Sequence, residues 1–372
     1  MRPRIGCLLL FLALAAAGCW DFEEVDRRAF ATTVGIDLAE GGRGVRLTVQ
    51  VPIVSSGKGG PTGGGESGFT TLGQTARTVY EAFAALQSKT SRDLVIQQNK
   101  TVVLGQAAAR RSVKPLLDYL RRNPKAPPQS LVFIARRKSA AEILSFVPPK
   151  EILPASELIL AGQTVPKADR VYFIPLWQFL QKLVHRSKDP YAPLIDLDRT
   201  HETFILAGIG VFAGDRLAGE LDPLETQAFG ILANLMKAGT MTFATPGGMI
   251  TLRNMKGRTR IKVRIERGRP FFGIETGVTA AIGEDTGGRT GLRPADYRRL
   301  EREAARALKP RLVGVVQKLQ SWGADVIDLG EELRVQQPRL WERIKGSWRE
   351  VYRTAPVEVK VNVCITRDGV LR

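Results

Sequence analysis

Val45-Arg46-Leu47-Thr48-Val49-Gln50-Val51-Pro52-Ile53 sets apolar residues on the odd positions and Arg, Thr, Gln and Pro on the even ones. A repeat of two is the period of a pleated strand with one buried face, so the stretch reads as β-structure. Upstream, Ala29 to Asp37 reads as a shorter strand closing in Gly35-Ile36-Asp37, and Glu40-Gly41-Gly42-Arg43-Gly44 supplies the turn of a hairpin. Downstream, Ser55 to Gly68 holds seven glycines and Pro61 and has little to bury, which reads as a flexible loop. It lacks the Gly-Lys-Ser/Thr ending of a phosphate-binding loop.

Beyond the loop the period changes. Ala76, Val79, Tyr80, Phe83 and Leu86 recur at three and four, the stripe of an amphipathic helix. Leu94 to Ile96 and Thr101 to Leu104 read as paired strands, followed by a helix over Ala107 to Leu120, a strand over Ser130 to Ala135 and a short helix over Ala140 to Phe146. A further helix surrounds Leu176, Trp177, Leu180 and Val184, and Asp189-Pro190-Tyr191-Ala192-Pro193 reads as a linker.

The second half opens with a hairpin, Thr203 to Phe212 and Arg216 to Leu221, and then Asp222-Pro223 starts a helix with Glu225 in its first turn. Thr259 to Glu266 and Phe271 to Ile282 are strands. Tyr297, Leu300, Ala304, Leu308, Leu312, Val315, Leu319 and Trp322 line one long helix, with a kink expected at Pro310. Pro338 begins another helix, with Trp341, Ile344, Trp348 and Val351 on one face. In the closing strand Val357, Val359, Val361, Val363 and Ile365 face one way, so Cys364 points away from the core. Strands and helices alternating in this way imply an α+β fold with mixed sheets and packed helices.

At 372 residues the chain is long enough for more than one domain. The division expected is a leader over 1–18, a first domain over 19–195 that can split again near 135–150, and a second over 196–372. Apolar content of 44% and charged content of 25% are those of an ordinary globular protein.

The leader is read from Arg2 and Arg4, the apolar run Ile5 to Ala17, and Ala16-Ala17-Gly18-Cys19. A basic start, a short apolar core and small residues before a cut make a secretory signal, because a membrane-spanning helix needs about 20 apolar residues. The cysteine at the cut resembles the lipobox of bacterial lipoproteins, with cleavage between Gly18 and Cys19, a diacylglyceryl thioether on the Cys19 thiol and an acyl group on its new amine. Each buried methylene of such chains is worth about 0.8 kcal/mol, so two or more chains anchor stably.

The formal net charge is +18, and loss of Arg2 and Arg4 with the leader lowers it by two. An exported, lipid-tethered chain meets anionic phospholipid first, where each Lys or Arg near the surface adds about 1 kcal/mol. Solvated helix faces account for such charge equally well. Nucleic acid is disfavoured, because no basic stretch interleaves aromatic residues.

Of three cysteines, Cys7 leaves with the leader, Cys19 becomes the thioether and Cys364 has no partner, so no intramolecular disulfide is expected. The two histidines, His185 and His201, fall in no metal-binding pattern, and no metal or cofactor is expected. Gly208-Ile209-Gly210-Val211-Phe212-Ala213 fits a dinucleotide fingerprint by letter but runs into a strand rather than a helix. The adjacent pairs Glu284-Asp285 and Glu331-Glu332 read as solvated charges, and no Gly-x-Ser-x-Gly elbow occurs. No catalytic residue is proposed.

Taken together, Gly18-Cys19-Trp20-Asp21, Gly35-Ile36-Asp37, Gly73 to Leu86, Ser91-Arg92, Lys100 to Gly105 and Leu117 to Arg121 resemble the N-terminal part of the Ger(x)C lipoproteins of spore nutrient-germinant receptors. Val211-Phe212, Leu217 to Leu221, Glu225-Thr226, Gln317 to Gln320, Ala324-Asp325-Val326-Ile327, Gly330, Trp341, Trp348 and Asp368-Gly369 resemble the rest. Gln97-Gln98 departs from the pattern, where the family commonly has a His, and the Gly-rich loop is longer than usual.

The resemblance implies a mixed α/β fold and the C subunit of a three-part receptor in the spore inner membrane. Its partners would be a membrane A subunit and a transporter-like B subunit, with this lipoprotein on the outer face. A germinant such as an amino acid or sugar then triggers release of ions and dipicolinate, and the C subunit is required without enzymatic activity. The alternative is a lipoprotein solute-binding protein that delivers a small molecule to a transporter.

Overall fold

The computed structural model describes residues 27–53, 68–146, 170–289 and 292–366. Expectations for the leader, the Gly-rich loop and Asp368-Gly369 lie outside these residues.

The chain begins with β1 (Arg28–Phe30), β2 (Thr33–Leu38), β3 (Val45–Pro52) and β4 (Phe69–Ala76), then helix α1 (Val79–Gln87), β5 (Asp93–Val95) and β6 (Thr101–Gly105). Helices α2 (Gln106–Arg111) and α3 (Lys114–Arg122), β7 (Leu131–Ala135), α4 (Ala140–Leu144) and α5 (Leu176–Val184) follow. Next come β8 (Tyr191–Asp198), β9 (Thr203–Ala213), β10 (Arg216–Leu221), α6 (Pro223–Leu232), β11 (Met241–Thr245), β12 (Gly248–Glu266) and β13 (Arg269–Asp285). The chain closes with α7 (Pro294–Trp322), α8 (Leu329–Gln336), α9 (Pro338–Ile344), α10 (Trp348–Thr354) and β14 (Val357–Thr366).

Eight strands form one mixed sheet in the order β10-β9-β8-β7-β6-β2-β3-β4, four form a second in the order β11-β12-β13-β14, and β1 pairs with β5. Strands β8, β7, β6 and β2 run parallel and the flanking strands antiparallel. The fold is thus the mixed α+β class that the alternation implied. The 195/196 division falls within β8, in a sheet to which residues on both sides contribute.

The parallel centre explains the apolar runs. Every residue of β6 is buried, because one face packs in the main core with Leu117 and Phe179 while Val103 and Phe133 face a smaller cluster with Ile143 and Leu144 of α4. The hairpin of β2 and β3 forms as expected, Val34 opposite Val49 and Ile36 opposite Leu47. Its second face is buried too: α4 covers it, and Gln50 Nε2 donates to Leu144 O at 2.6 Å.

Four local expectations change. Leu94 to Ile96 and Thr101 to Leu104 are both strands but not partners, since β5 pairs with β1 and β6 lies between β2 and β7. The helix over Ala107 to Leu120 is two, because Ser112 turns extended to donate to Asp215 Oδ2 at 2.5 Å and Val113 N donates to Asp215 O at 2.9 Å. The helix from Pro338 is also two, α9 and α10, with Trp341 and Trp348 meeting edge to face at 5.7 Å. Asp189 to Pro193 is no linker: Tyr191, Ala192 and Pro193 are buried as the start of β8. Pro193 lacks an amide proton, and it sits beside a register shift and just before the Leu194–Ile134 pairing with β7.

The long helix α7 runs unbroken through Pro310 and buries Leu300, Ala304, Leu308, Leu312, Val315 and Leu319. Strand β14 packs Val359, Val363 and Ile365 inward and leaves Cys364 exposed. Among the described residues no helix is long and apolar enough to cross a membrane.

Candidate functional site

The sites weighed in the sequence separate. Gly18 and Cys19 lie outside the described residues. His185 is exposed at the end of α5, and His201 Nδ1 lies 2.7 Å from Asp198 Oδ2. Asp285 holds Arg289 at 2.9 and 3.1 Å. Glu331 holds Arg334 at 2.6 Å and accepts from Ser187 Oγ at 2.9 Å, with Lys188 nearby; those partners, Arg334 foremost, pull its carboxyl down to about 2. Glu332 accepts from Gln336 at 2.7 Å. Among the described residues no three His, Cys, Asp or Glu side chains group as metal ligands.

Gly35-Ile36-Asp37 has a structural use. Asp37, at the end of β2, accepts from Ala140 N at 2.8 Å and Ala141 N at 3.0 Å, fixing the positive end of α4. Burial raises its pKa, and the two amide bonds oppose that rise. A side chain at Gly105 would overlap this carboxylate.

The densest chemistry lies where the two sheets meet. Asp325, 2% exposed, accepts from Leu329 N at 2.8 Å, Gly330 N at 2.7 Å and Trp348 Nε1 at 3.1 Å. Its own amide donates to Asp189 Oδ2 at 2.8 Å. Asp189 also accepts from Gly214 N at 2.7 Å and from Arg349 at 3.1 and 3.2 Å. Burial, helped by the nearby Asp328 charge, pushes the Asp325 carboxyl up to about 7 against the pull of the Leu329 and Gly330 amides. Gly330 is required by space, since a Cβ there would lie 2.7 Å from Trp348 Nε1. Three of the quoted resemblance positions, Asp325, Gly330 and Trp348, therefore form one hub, which clamps the start of β8 to α8 and α10.

Beside this hub a cleft of about 580 Å³ opens between α5, the start of β8, the edge of β12 and α8. Lys182 and Tyr191 line one wall, and Ile261, Ile327, Asp328 and Gln336 line the others. Lys182 Nζ meets Asp328 Oδ1 at 2.6 Å. The edge of β12 is plugged by side-chain amides: Asn234 bonds Thr259 N and O at 2.6 and 3.0 Å, and Gln336 bonds Val263 N and Ile261 O at 2.9 and 2.8 Å. Sequence reasoning read Asp189 and Tyr191 as linker residues and passed over Lys182. One signal was present, because Lys182 lies on the stripe of Leu176, Phe179 and Leu183, where a charge is out of place.

Comparison with known proteins follows the whole length. The family described as "Spore germination protein N-terminal domain" matches residues 21–197, and "Spore germination B3/ GerAC like, C-terminal" matches residues 207–369. YfkR of Bacillus subtilis (strain 168), which carries a spore-germination name, is 27% identical over 98% of this chain and 97% of its own length. Spore germination protein B3 of the same organism is 25% identical over 97% of each chain, and GerQC of Bacillus cereus 25% over 98% of each. The crystal structure of the GerBC protein superposes with a TM-score of 0.60 at 20% identity, covering 93% of this chain and all of that one, a likeness of fold.

Proposed function

This chain belongs to the GerAC-like family of spore germination proteins, and from that premise we infer that it is the lipid-anchored, non-catalytic C subunit of a spore nutrient germinant receptor. The observation that carries the reading is the colinear match of both family domains, in order, over residues 21–197 and 207–369. In this reading the chain is held through Cys19 on the outer face of the spore inner membrane and docks on the membrane A and B subunits. Its task is receptor assembly and the signalling that starts germination.

Anchoring is supported by the leader ahead of Gly18-Cys19 and by the formal charge of +18, which favours an anionic phospholipid surface. A role without catalysis is supported by the engagement of Glu331, Glu332 and Asp285 in local ion pairs and hydrogen bonds. The test is nutrient germination in spores that depend on this receptor alone, read as dipicolinate release. Spores lacking the chain should fail to respond and should be rescued by the intact chain; a normal response without it would overturn the reading.

A further inference from the structure

The cleft beside the hub carries more hydrogen-bond donors than the protein accepts. Lys182 is 8% exposed, and its ammonium carries three protons, of which Asp328 takes one. Among the described residues no other acceptor meets it. Tyr191 is 4% exposed, its ring packs edge to face on Phe229 at 5.0 Å, and its hydroxyl has no hydrogen-bond partner among the described residues. Burial drives the Tyr191 pKa up, so the phenol stays a donor.

A third donor comes from the backbone. The amides of Thr259 and Val263 point to the free edge of β12, where Asn234 and Gln336 take them, and Ile261 O points there as well. In an antiparallel strand a residue's N–H and C=O leave on the same side, so Ile261 N–H points into the gap between the two plugs. Donors that face a cleft and meet no protein acceptor are left to water or a ligand, and three such donors in one cleft mark a place able to receive acceptor oxygens.

The charge of the cleft sets the class of ligand. Lys262 is held by Glu275 at 3.0 Å, which leaves Lys182 and Arg260 balanced by Asp328 and Glu332; a single negative charge can be met by the two cations, whereas a dianion would face both carboxylates. Leu232, Leu235 and Ile327 supply apolar wall. We propose that this cleft binds a small organic monocarboxylate, whose oxygens accept from Lys182, Tyr191 and Ile261 N–H while its apolar tail lies against Leu232 and Ile327. This goes beyond the receptor assignment and stands without it, since binding is read on the purified chain.

The test uses the full-length chain in detergent, titrated with isobutyrate and with its uncharged isostere isobutyramide and followed by ligand-observed NMR. Isobutyrate should bind saturably and isobutyramide about tenfold more weakly, the weight of one charge-assisted hydrogen bond. Tyr191→Phe keeps the ring packing and removes only the unpartnered hydroxyl, so it should weaken isobutyrate binding about tenfold without lowering the melting temperature of the free chain. Lys182→Met should erase the preference for the acid over the amide. Equal binding of the two probes, no saturable binding of isobutyrate, or unchanged binding in Tyr191→Phe would each overturn the proposal.

Discussion

Replacing Asp189 by Ala should cost about 3 kcal/mol of stability, several times what a substitution in a solvated linker costs. Asp189 is 5% exposed, and its carboxylate accepts from two backbone amides, Gly214 N at 2.7 Å and Asp325 N at 2.8 Å, besides Arg349. Each buried donor left without its acceptor costs about 1–3 kcal/mol. The Arg349 side chain remains 40% exposed and regains water, so the lost ion pair adds at most about 1 kcal/mol. Arg349→Ala leaves Asp189 with both amides and should cost less, about 1–2 kcal/mol. Because the two share one network, the double variant should be less destabilised than the sum by about 1 kcal/mol. Urea unfolding followed by far-ultraviolet circular dichroism reads all three. A loss below about 1 kcal/mol for Asp189→Ala, the range of ordinary surface substitutions, would refute the clamp and restore the linker.

The raised Asp325 pKa makes a signed prediction. With the folded carboxyl at about 7 and its ordinary value at 3.8, the folded state keeps a proton that the unfolded chain releases, so this group's contribution to stability falls as pH rises from about 4 through 7. Asp325→Asn should flatten the fall in urea midpoint over that same window, about pH 4 to 7; an unchanged pH slope would contradict the assignment. Gly105→Ala should cost about 1–3 kcal/mol by pushing the Asp37 carboxylate off the α4 amides, and calorimetric melting showing no loss would remove the overlap argument. Cys19→Ala should move the chain from the membrane fraction of sporulating cells to the soluble one, and unchanged fractionation would sink the anchor.

Features with a local cause could be read from the sequence. The alternation of Val357 to Ile365 and the long stripe from Leu300 to Leu319 each follow from burial of one repeating face, and the structure places both as read; the alternation of Val45 to Ile53 likewise marks a strand, but α4 buries its second face as well. Asp222-Pro223 with Glu225 likewise forms a reciprocal N-terminal cap on α6.

What failed depended on partners distant in the chain. Nothing within Leu94 to Ile96 says that its neighbour is β1 rather than β6. Prolines 190 and 193 argue for a linker until β9 is seen to pair with Tyr191 to Pro193 and Asp325 to hold the preceding aspartate. The hub was visible only as separate letters of a family resemblance. Asp325, Gly330 and Trp348 are joined by a buried hydrogen-bond network and a close packing contact, and neither has a period. Lys182 and Tyr191 were missed for the same reason, since the sheet edge that faces them is supplied by β12, about seventy residues downstream.

The account turns on membership of a receptor assembly, and the most direct measurement is recovery of an affinity-tagged, full-length chain from detergent-solubilised spore inner membranes, with its companions identified by mass spectrometry. The A and B subunits should be recovered with the intact chain and should be lost or much reduced with Cys19→Ala. Recovery of the intact chain without either membrane subunit would contradict the central claim.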